Sequence, residues 1–257
     1  MTRHTLKQFL QSAVITVAGA LALTGAVPAL ASESSATFAK ADNDVSNVAS
    51  LQRGARNFVN YCLGCHSAKY VRYNQLARDL GMSEEQVIAN LMFGAAKPTE
   101  TMGIAMRSAD AQRWFGQAPP DLSLIARSKG VDYIYNFLRS FYIDPSRPNG
   151  VNNLALPNAS MPHVLWELQG LQTAIFEEEE HNGLTHTAFR KFEFARAGTL
   201  KPDQYDDFVR DTVNFLDYIA EPMKLKRQNL GLLVITFLLV FGLFAYLLKL
   251  EIWKDVK

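Results

Sequence analysis

Apolar residues recur at helical spacing along much of the chain and predict a mainly α fold. The first predicted helix presents one apolar face, formed by Leu51, Ala55, Phe58, Val59 and Cys62. Ser83 and Gln86 form a capping box, which predicts that a second helix begins there. The predicted helices after the first cover residues 83–93, 110–115, 131–141 and 204–220.

The regions between these helices are polar or rich in turn residues. Residues 144–150 form a turn cluster, and an irregular stretch continues to about Pro162. A stretch of this length without regular structure is usually functional or disordered. Residues 164–176 are compatible with a short strand or hairpin, and an acidic run follows at 177–180.

The two ends of the chain carry targeting patterns. Residues 1–31 combine an early positive charge, an apolar stretch and an A-x-A site ending at Ala31, which predicts a secretory signal peptide. Residues 230–248 contain no charged side chain and are long enough to cross the hydrocarbon core of a bilayer as a helix. The sequence thus predicts an exported domain over 32–222 and a membrane anchor with a short cytoplasmic tail over 223–257.

Composition narrows the function classes. The formal net charge of +1 argues against a nucleic-acid-binding protein, which is usually strongly basic. We find no paired-carboxylate or Ser-His-Asp signature, so no catalytic residue is predicted. The chain has two cysteines, Cys62 and Cys65, and His66 follows the second directly.

This Cys-x-x-Cys-His motif predicts covalent attachment of haem c. One tight turn places both thiols where each can form a thioether with a haem vinyl group. The imidazole of His66 can then occupy one axial position on the iron. A thioredoxin-like dithiol usually lies in a βαβ unit, but here a helical pattern precedes Cys62. A structural zinc site would need four ligands and usually a second cysteine pair.

A haem that only carries electrons needs a second axial ligand, and methionine in that position raises the reduction potential. Met161 lies in the irregular stretch, and Pro162 restricts its backbone to extended conformations. These features favour Met161 as the sixth ligand. Met106 and His163 remain alternatives.

The chain resembles the cytochrome c1 family, the haem subunits of the quinol–cytochrome c oxidoreductase (cytochrome bc1) complex. The resemblance covers most of the exported domain and the anchor. Beyond the haem motif it is carried by Tyr70-Val71-Arg72-Tyr73-Asn74, Ala118-Pro119-Pro120-Asp121-Leu122-Ser123, Leu138-Arg139-Ser140-Phe141-Tyr142, Asn158-Ala159-Ser160-Met161-Pro162 and Glu221-Pro222.

The resemblance implies a c-type haem domain with long loops and one C-terminal transmembrane helix. Cys62 and Cys65 would carry the haem, and His66 and Met161 would ligate its iron. The protein would be an electron carrier rather than an enzyme by itself. It would pass one electron from the Rieske iron–sulfur protein to cytochrome c, in a complex with cytochrome b in the bacterial inner membrane, with the haem on the periplasmic side. The alternative is a stand-alone anchored cytochrome c that feeds a terminal oxidase.

Three points stay open in the sequence. Arg127 and Lys129 both follow residues 118–123, which we call the proline stretch, and either could meet a haem propionate. The acidic run at 177–180 is compatible with a solvated loop or with a docking surface for a basic cytochrome c. Some relatives carry an extra disulfide, whereas both cysteines here belong to the haem motif, so we expect the Met161 segment to be held by packing alone.

Overall fold

The structure is a computed structural model that describes residues 38–181 and 184–255. The predicted signal peptide lies outside the described residues. The helices are α1 (Val48–Tyr61), α2 (Tyr73–Asp79), α3 (Glu84–Leu91), α4 (Ser108–Phe115), α5 (Ile125–Lys129), α6 (Val131–Arg139), α7 (Trp166–Gln169), α8 (Pro202–Ala220) and α9 (Lys224–Ile252). The strands are β1 (Ala68–Arg72), β2 (Thr101–Met102), β3 (Phe141–Ile143), β4 (Val151–Asn153), β5 (Gly170–His181) and β6 (Leu184–Ala197).

The core is built on the crossing of α1 with α8, the first and last helices before the anchor. Gly54 allows the two backbones to touch, because a Cβ at this position would lie 2.1 Å from the carbonyl oxygen of Asp211. The rings of Phe58 and Phe215 pack beside this contact with centroids 5.6 Å apart, and both side chains are fully buried. The crossing fixes the C-terminal end of α1, where the cysteine motif begins.

The predicted helices are confirmed with small changes at their ends. The capping box of α3 is present, since the Ser83 hydroxyl accepts from the Gln86 amide at 3.2 Å and the Gln86 side chain accepts from the Ser83 amide at 2.9 Å. Helix α6 ends at Arg139 rather than at Phe141. Phe141 instead begins β3 and pairs with Asn153 of β4.

The short strand or hairpin considered for residues 164–176 is present in a longer form, because its strands extend to residue 197. β5 and β6 form a long antiparallel hairpin, so the fold is only partly described as mainly α. The acidic run lies in β5 rather than in a loop. Glu177 and Glu179 both contact the guanidinium of Arg190 on β6, each at 2.7 Å, so a cross-strand base compensates part of the charge of the run.

The base of this hairpin is a close backbone crossing. Gly170 has a φ of +93°, and a Cβ there would lie 2.3 Å from the carbonyl oxygen of Arg196. A Cβ at Gly198 would lie 2.2 Å from the carbonyl oxygen of Leu168. Glycine has no Cβ, so it is the residue that permits both contacts. The crossing joins the hairpin to α7.

Residues 154–165, which we call the methionine loop, connect β4 to α7 and contain Met161. The loop follows the short hairpin formed by β3 and β4. It returns the chain from this hairpin to the core, where Leu165 is buried.

Helix α9 contains the predicted membrane segment. Among the described residues it is the one helix long and apolar enough to cross a membrane, with a mean hydropathy of 2.6. Its apolar side chains are exposed rather than packed on the domain, as expected for a helix whose solvent is lipid. The helix fits a single-pass anchor. Lys224 and Arg227 pair with Asp217 and Glu221 and tie its first turn to the end of α8.

Candidate functional site

A cavity of about 270 Å³ lies where α1, the proline stretch, α6, the methionine loop and α8 meet. Cys62, Cys65, His66 and Met161, the four site residues predicted from the sequence, all line it. The rest of its wall is largely apolar and includes Phe137, Leu138, Val164, Phe208 and Leu216. The fold therefore brings residues that are about a hundred positions apart into one site.

The two thiols are presented by the turn that ends α1. The amide of Cys65 donates to the carbonyl oxygen of Cys62 at 3.0 Å, and the amide of His66 donates to the same oxygen at 2.8 Å. Both thiols are free of disulfide bonds. Burial raises the pKa of Cys62 to about 12, with a smaller contribution from Cys65. Reactive redox dithiols have lowered pKa values, so this environment does not suit a thioredoxin-like role.

His66 is held with one nitrogen committed to the protein. Its Nδ1 lies 2.8 Å from the carbonyl oxygen of Pro120. A carbonyl oxygen can only accept, so Nδ1 carries the proton and Nε2 keeps its lone pair. Burial lowers the pKa of His66, which favours the neutral imidazole that binds metals. A backbone carbonyl that fixes the tautomer is a usual partner of a metal-binding histidine.

The proline stretch is fastened to the segment after the motif through Asp121. Its Oδ2 accepts from the Ser67 hydroxyl at 2.6 Å and from the Lys69 amide at 2.9 Å, and its Oδ1 accepts from the Ser123 amide at 3.0 Å. Burial alone would raise the pKa of Asp121, but these hydrogen bonds outweigh it and the pKa is lowered. Asp121 thus fixes the backbone whose neighbouring carbonyl orients His66.

The structure distinguishes Met161 from its rivals. Met161 is partly buried and packs against the core as well as lining the cavity. Met106 and His163 are not among the described residues that line it. His163 is instead buried and stacked on Phe141, with ring centroids 5.0 Å apart. Burial lowers the pKa of His163 to about 4, so this ring acts as a neutral packing element.

Of the two bases left open by the sequence, the structure brings Lys129 to the cavity wall. Its Nζ lies 5.7 Å from the centre of the Tyr133 ring, and Tyr133 lines the cavity too. Arg127 is exposed and is not among the described lining residues. Tyr133 and the Pro120 carbonyl were not predicted from the sequence, because neither belongs to a local motif that signals its role.

Two thiols that could attach haem, with an imidazole and a thioether that could ligate its iron, fit a c-type haem centre in an apolar cavity. The described residues contain no group of three or more His, Cys, Asp and Glu side chains that could hold a bare metal ion. Together with a C-terminal apolar helix, these residues fit the class of membrane-anchored c-type cytochromes.

Comparisons with known proteins agree. The model of the "Cytochrome C1 family" matches residues 39–99 and 197–256. The chain is 47% identical to cytochrome c1 of Allochromatium vinosum over 88% of this chain and 93% of the relative. It is 43% identical to a protein named ammonia monooxygenase gamma subunit from Nitrosomonas europaea, over 84% of this chain and 88% of that protein. Cytochrome c1 of Rhodospirillum rubrum is 30% identical over 80% of this chain and 82% of that protein.

The chain belongs to the cytochrome c1 family. The resemblance seen in the sequence is therefore confirmed, and the protein is a haem electron-transfer subunit. The family model does not match residues 100–196, which include the proline stretch and the methionine loop. The role of these residues in the site is accordingly inferred from the geometry of the cavity.

Proposed function

We propose that this protein relays one electron at a time from a Rieske iron–sulfur protein to cytochrome c, as a subunit of a quinol–cytochrome c oxidoreductase. In this proposal Cys62 and Cys65 would hold haem c covalently, and His66 and Met161 would ligate its iron. The observation that carries the proposal is that all four side chains line one apolar cavity. When bound, the haem supplies a one-electron Fe(III)/Fe(II) couple.

The residues of the cavity would anchor the haem, ligate its iron and exclude water. Cys62 and Cys65 anchor the group, His66 is oriented by Pro120, and Met161 supplies a soft ligand that favours the reduced state. Apolar side chains such as Phe137 exclude water, which also raises the reduction potential. If His66 and Met161 both ligate the iron, no position would remain for a substrate, and the protein would act as a carrier.

Electron entry and exit need one side of the haem close to solvent. Gln117 and Leu156 line the cavity and are exposed, so this part of its wall reaches the surface. Lys129, also exposed at the cavity wall, is the base that we propose for a haem propionate. These residues support contact with small redox proteins, which bind through limited and transient interfaces.

The proposed location is the bacterial inner membrane. Residues 1–31 would direct export, residues 32–222 would fold in the periplasm, and residues 223–257 would hold the protein in the bilayer with the tail in the cytoplasm. The apolar α9 and its ion pairs with the end of α8 support this arrangement. A haem on the periplasmic side could react with cytochrome c, while cytochrome b would pack beside α9 in the membrane.

Two other assemblies are compatible with the same haem. One is a stand-alone anchored cytochrome c that feeds a terminal oxidase. The other is suggested by the name of the relative from Nitrosomonas europaea, ammonia monooxygenase gamma subunit, and would be an ammonia-oxidising enzyme. Both predict partners different from those proposed here.

Purification of the full chain from its native membranes separates these possibilities. We expect a mild-detergent preparation to contain cytochrome b and a Rieske protein in equal amounts with this chain, and to reduce cytochrome c with a quinol. Isolation with a terminal oxidase, or with an ammonia-oxidising enzyme and without cytochrome b, would contradict the proposal. An absorption spectrum of the same sample should show a six-coordinate low-spin haem.

A further inference from the structure

The methionine loop has to place one thioether accurately although it contains no helix or strand. Packing alone was the expectation from the sequence, since no disulfide is available. The structure shows in addition a set of hydrogen bonds from asparagine side chains of β4. Asn152 and Asn153 are both buried, and each binds backbone groups of the loop that follows.

Asn153 closes the start of the loop. Its Oδ1 accepts from the amides of Ala155 and Leu156 at 2.9 and 3.1 Å. Its Nδ2 donates to the carbonyl oxygen of Phe137 at 2.8 Å, which joins the loop to α6. These bonds fix the first residues of the loop but do not reach the segment that contains Met161.

Asn152 reaches that segment. Its Oδ1 accepts from the amide of Asn158 at 2.8 Å and from the amide of Asn153 at 2.9 Å. Asn158 lies three residues before Met161 and has a φ of +65°, in the left-handed region that residues other than glycine seldom adopt. The bond from Asn158 to Asn152 therefore holds the chain at a bend that sets the direction of the next residues.

Asp144 determines which way the Asn152 amide faces. Nδ2 of Asn152 donates to Oδ2 of Asp144 at 2.9 Å. The other oxygen of Asp144 accepts from the amide and hydroxyl of Ser146 at 3.0 and 2.6 Å. An ionised carboxylate can only accept, so the NH₂ group of Asn152 must face Asp144, and its oxygen must then face the loop.

The other side-chain hydrogen bonds to this segment are longer than the bond from Asn158 to Asn152. Nδ2 of Asn149 lies 3.4 Å from the carbonyl oxygens of Ala159 and Met161, and a guanidinium nitrogen of Arg147 lies 3.3 Å from the carbonyl oxygen of Asn158. Hydrogen bonds weaken over this range of distance. Asn152 thus makes the shortest side-chain hydrogen bond that holds the bend before Met161.

We propose that Asn152 is a positioning residue: oriented by Asp144, it holds the bend at Asn158 and so keeps Met161 directed into the cavity. This inference rests on the proposed function, in which Met161 is an axial ligand. It predicts that the closed position of the loop is weakened when the Asn152 amide cannot both accept from Asn158 and donate to Asp144.

The test uses Asn152→Asp, which keeps the size of the side chain but places two carboxylates against each other. The matched rescue is the double variant Asp144→Asn with Asn152→Asp, which restores a donor facing an acceptor. Asn90→Asp is the control for the chemical change, because Asn90 is exposed on α3 and its amide donates only to the Gln86 carbonyl in its own helix.

Imidazole binding to the ferric full-length protein in detergent is the measurement. Imidazole must displace Met161, so its apparent affinity rises as the closed loop becomes less stable. For Asn152→Asp we expect about tenfold tighter binding of imidazole and a weaker methionine–iron charge-transfer band, since a partly buried hydrogen bond has been replaced by repulsion between two carboxylates. The double variant should return both quantities to the wild-type values, and Asn90→Asp should leave both unchanged.

Wild-type affinity and an intact band in Asn152→Asp would overturn the inference, and so would a failure of the double variant to restore them. If the single variant yields no haem protein, the double variant decides: a haem protein with wild-type imidazole affinity supports the inference, and a second failure overturns it. A wild-type protein without the charge-transfer band would instead reject Met161 as the ligand, which is a failure of the proposed function.

Discussion

At the scale of single residues, Met161 is the side chain on which the proposed redox chemistry depends most. Replacement of Met161 by lysine should abolish the methionine–iron charge-transfer band and lower the reduction potential substantially, because a soft thioether favours ferrous iron. Potentiometry and the ferric absorption spectrum measure both effects. Met106→Leu is the matched control, since Met106 is not among the described cavity residues. A band that survives in Met161→Lys and disappears in Met106→Leu would make Met106 the ligand.

A second prediction at the residue scale concerns Asp121 and the pH dependence of stability. The pKa of Asp121 is lowered in the folded protein, so its contribution to stability is fully present above the unfolded value of about 3.9 and is lost as pH falls below it. Asp121→Asn should therefore lower the free energy of unfolding at pH 7 and flatten its dependence on pH below about 4. Denaturant titrations at several pH values measure this difference. If the unfolding free energy of Asp121→Asn falls with pH below about 4 as steeply as that of the wild type, other carboxylates account for the acid sensitivity.

At the scale of elements, the close crossing of α1 and α8 can be tested by a single substitution at Gly54. Gly54→Ala would place a Cβ 2.1 Å from the Asp211 carbonyl oxygen, and the helices would have to separate. Overpacking of this kind typically costs about 1–3 kcal/mol of unfolding free energy. The denaturant midpoint measures the loss. Gly94→Ala is the control, because nothing lies within 4 Å of a Cβ built there, and equal stability of the two variants would contradict the close crossing.

Elements with a local signal were predictable from the sequence. Helix α3 has a capping box and an apolar stripe, so its start could be read from neighbouring residues. The full length of the hairpin of β5 and β6 was not predicted, because the consecutive glutamates at 177–180 hide the alternation expected of a strand. The dipeptide Asn182-Gly183, which separates the two strands in the sequence, is a strong hairpin signal that could have indicated it.

The same distinction applies to the candidate site. Cys62, Cys65 and His66 lie within five consecutive residues, and their motif predicts haem attachment without a tertiary structure. The sequence limited the sixth ligand to a few candidates, and the irregular loop and Pro162 favoured Met161 among them. Lys129 could be named from the sequence only as one of two candidate bases. The Pro120 carbonyl and Asn152 make tertiary contacts, and no local sequence pattern predicts such contacts.

At the scale of the whole molecule, the described core lies before α9, whose apolar side chains stay exposed. A chain truncated after Pro222 should therefore fold, bind haem and fractionate with the soluble periplasm, whereas the full chain should remain in the membrane. Fractionation with haem staining measures both. Retention of the truncated chain in membranes that lack the partner subunits would contradict the proposed boundary at residue 222.

The packing of α1 on α8 also bears on the timing of assembly. Arg53 of α1 pairs with Asp211 of α8, which follows it by 158 residues. Chains are synthesised at about 5–20 residues per second, so if export keeps pace with synthesis, α1 waits roughly 8–30 s for its partner. Throughout that interval Cys62 and Cys65 belong to a segment that has not yet been enclosed. If these thiols carry haem as proposed, the order of synthesis would provide a period in which they are open to attachment, before α8 arrives and the core closes.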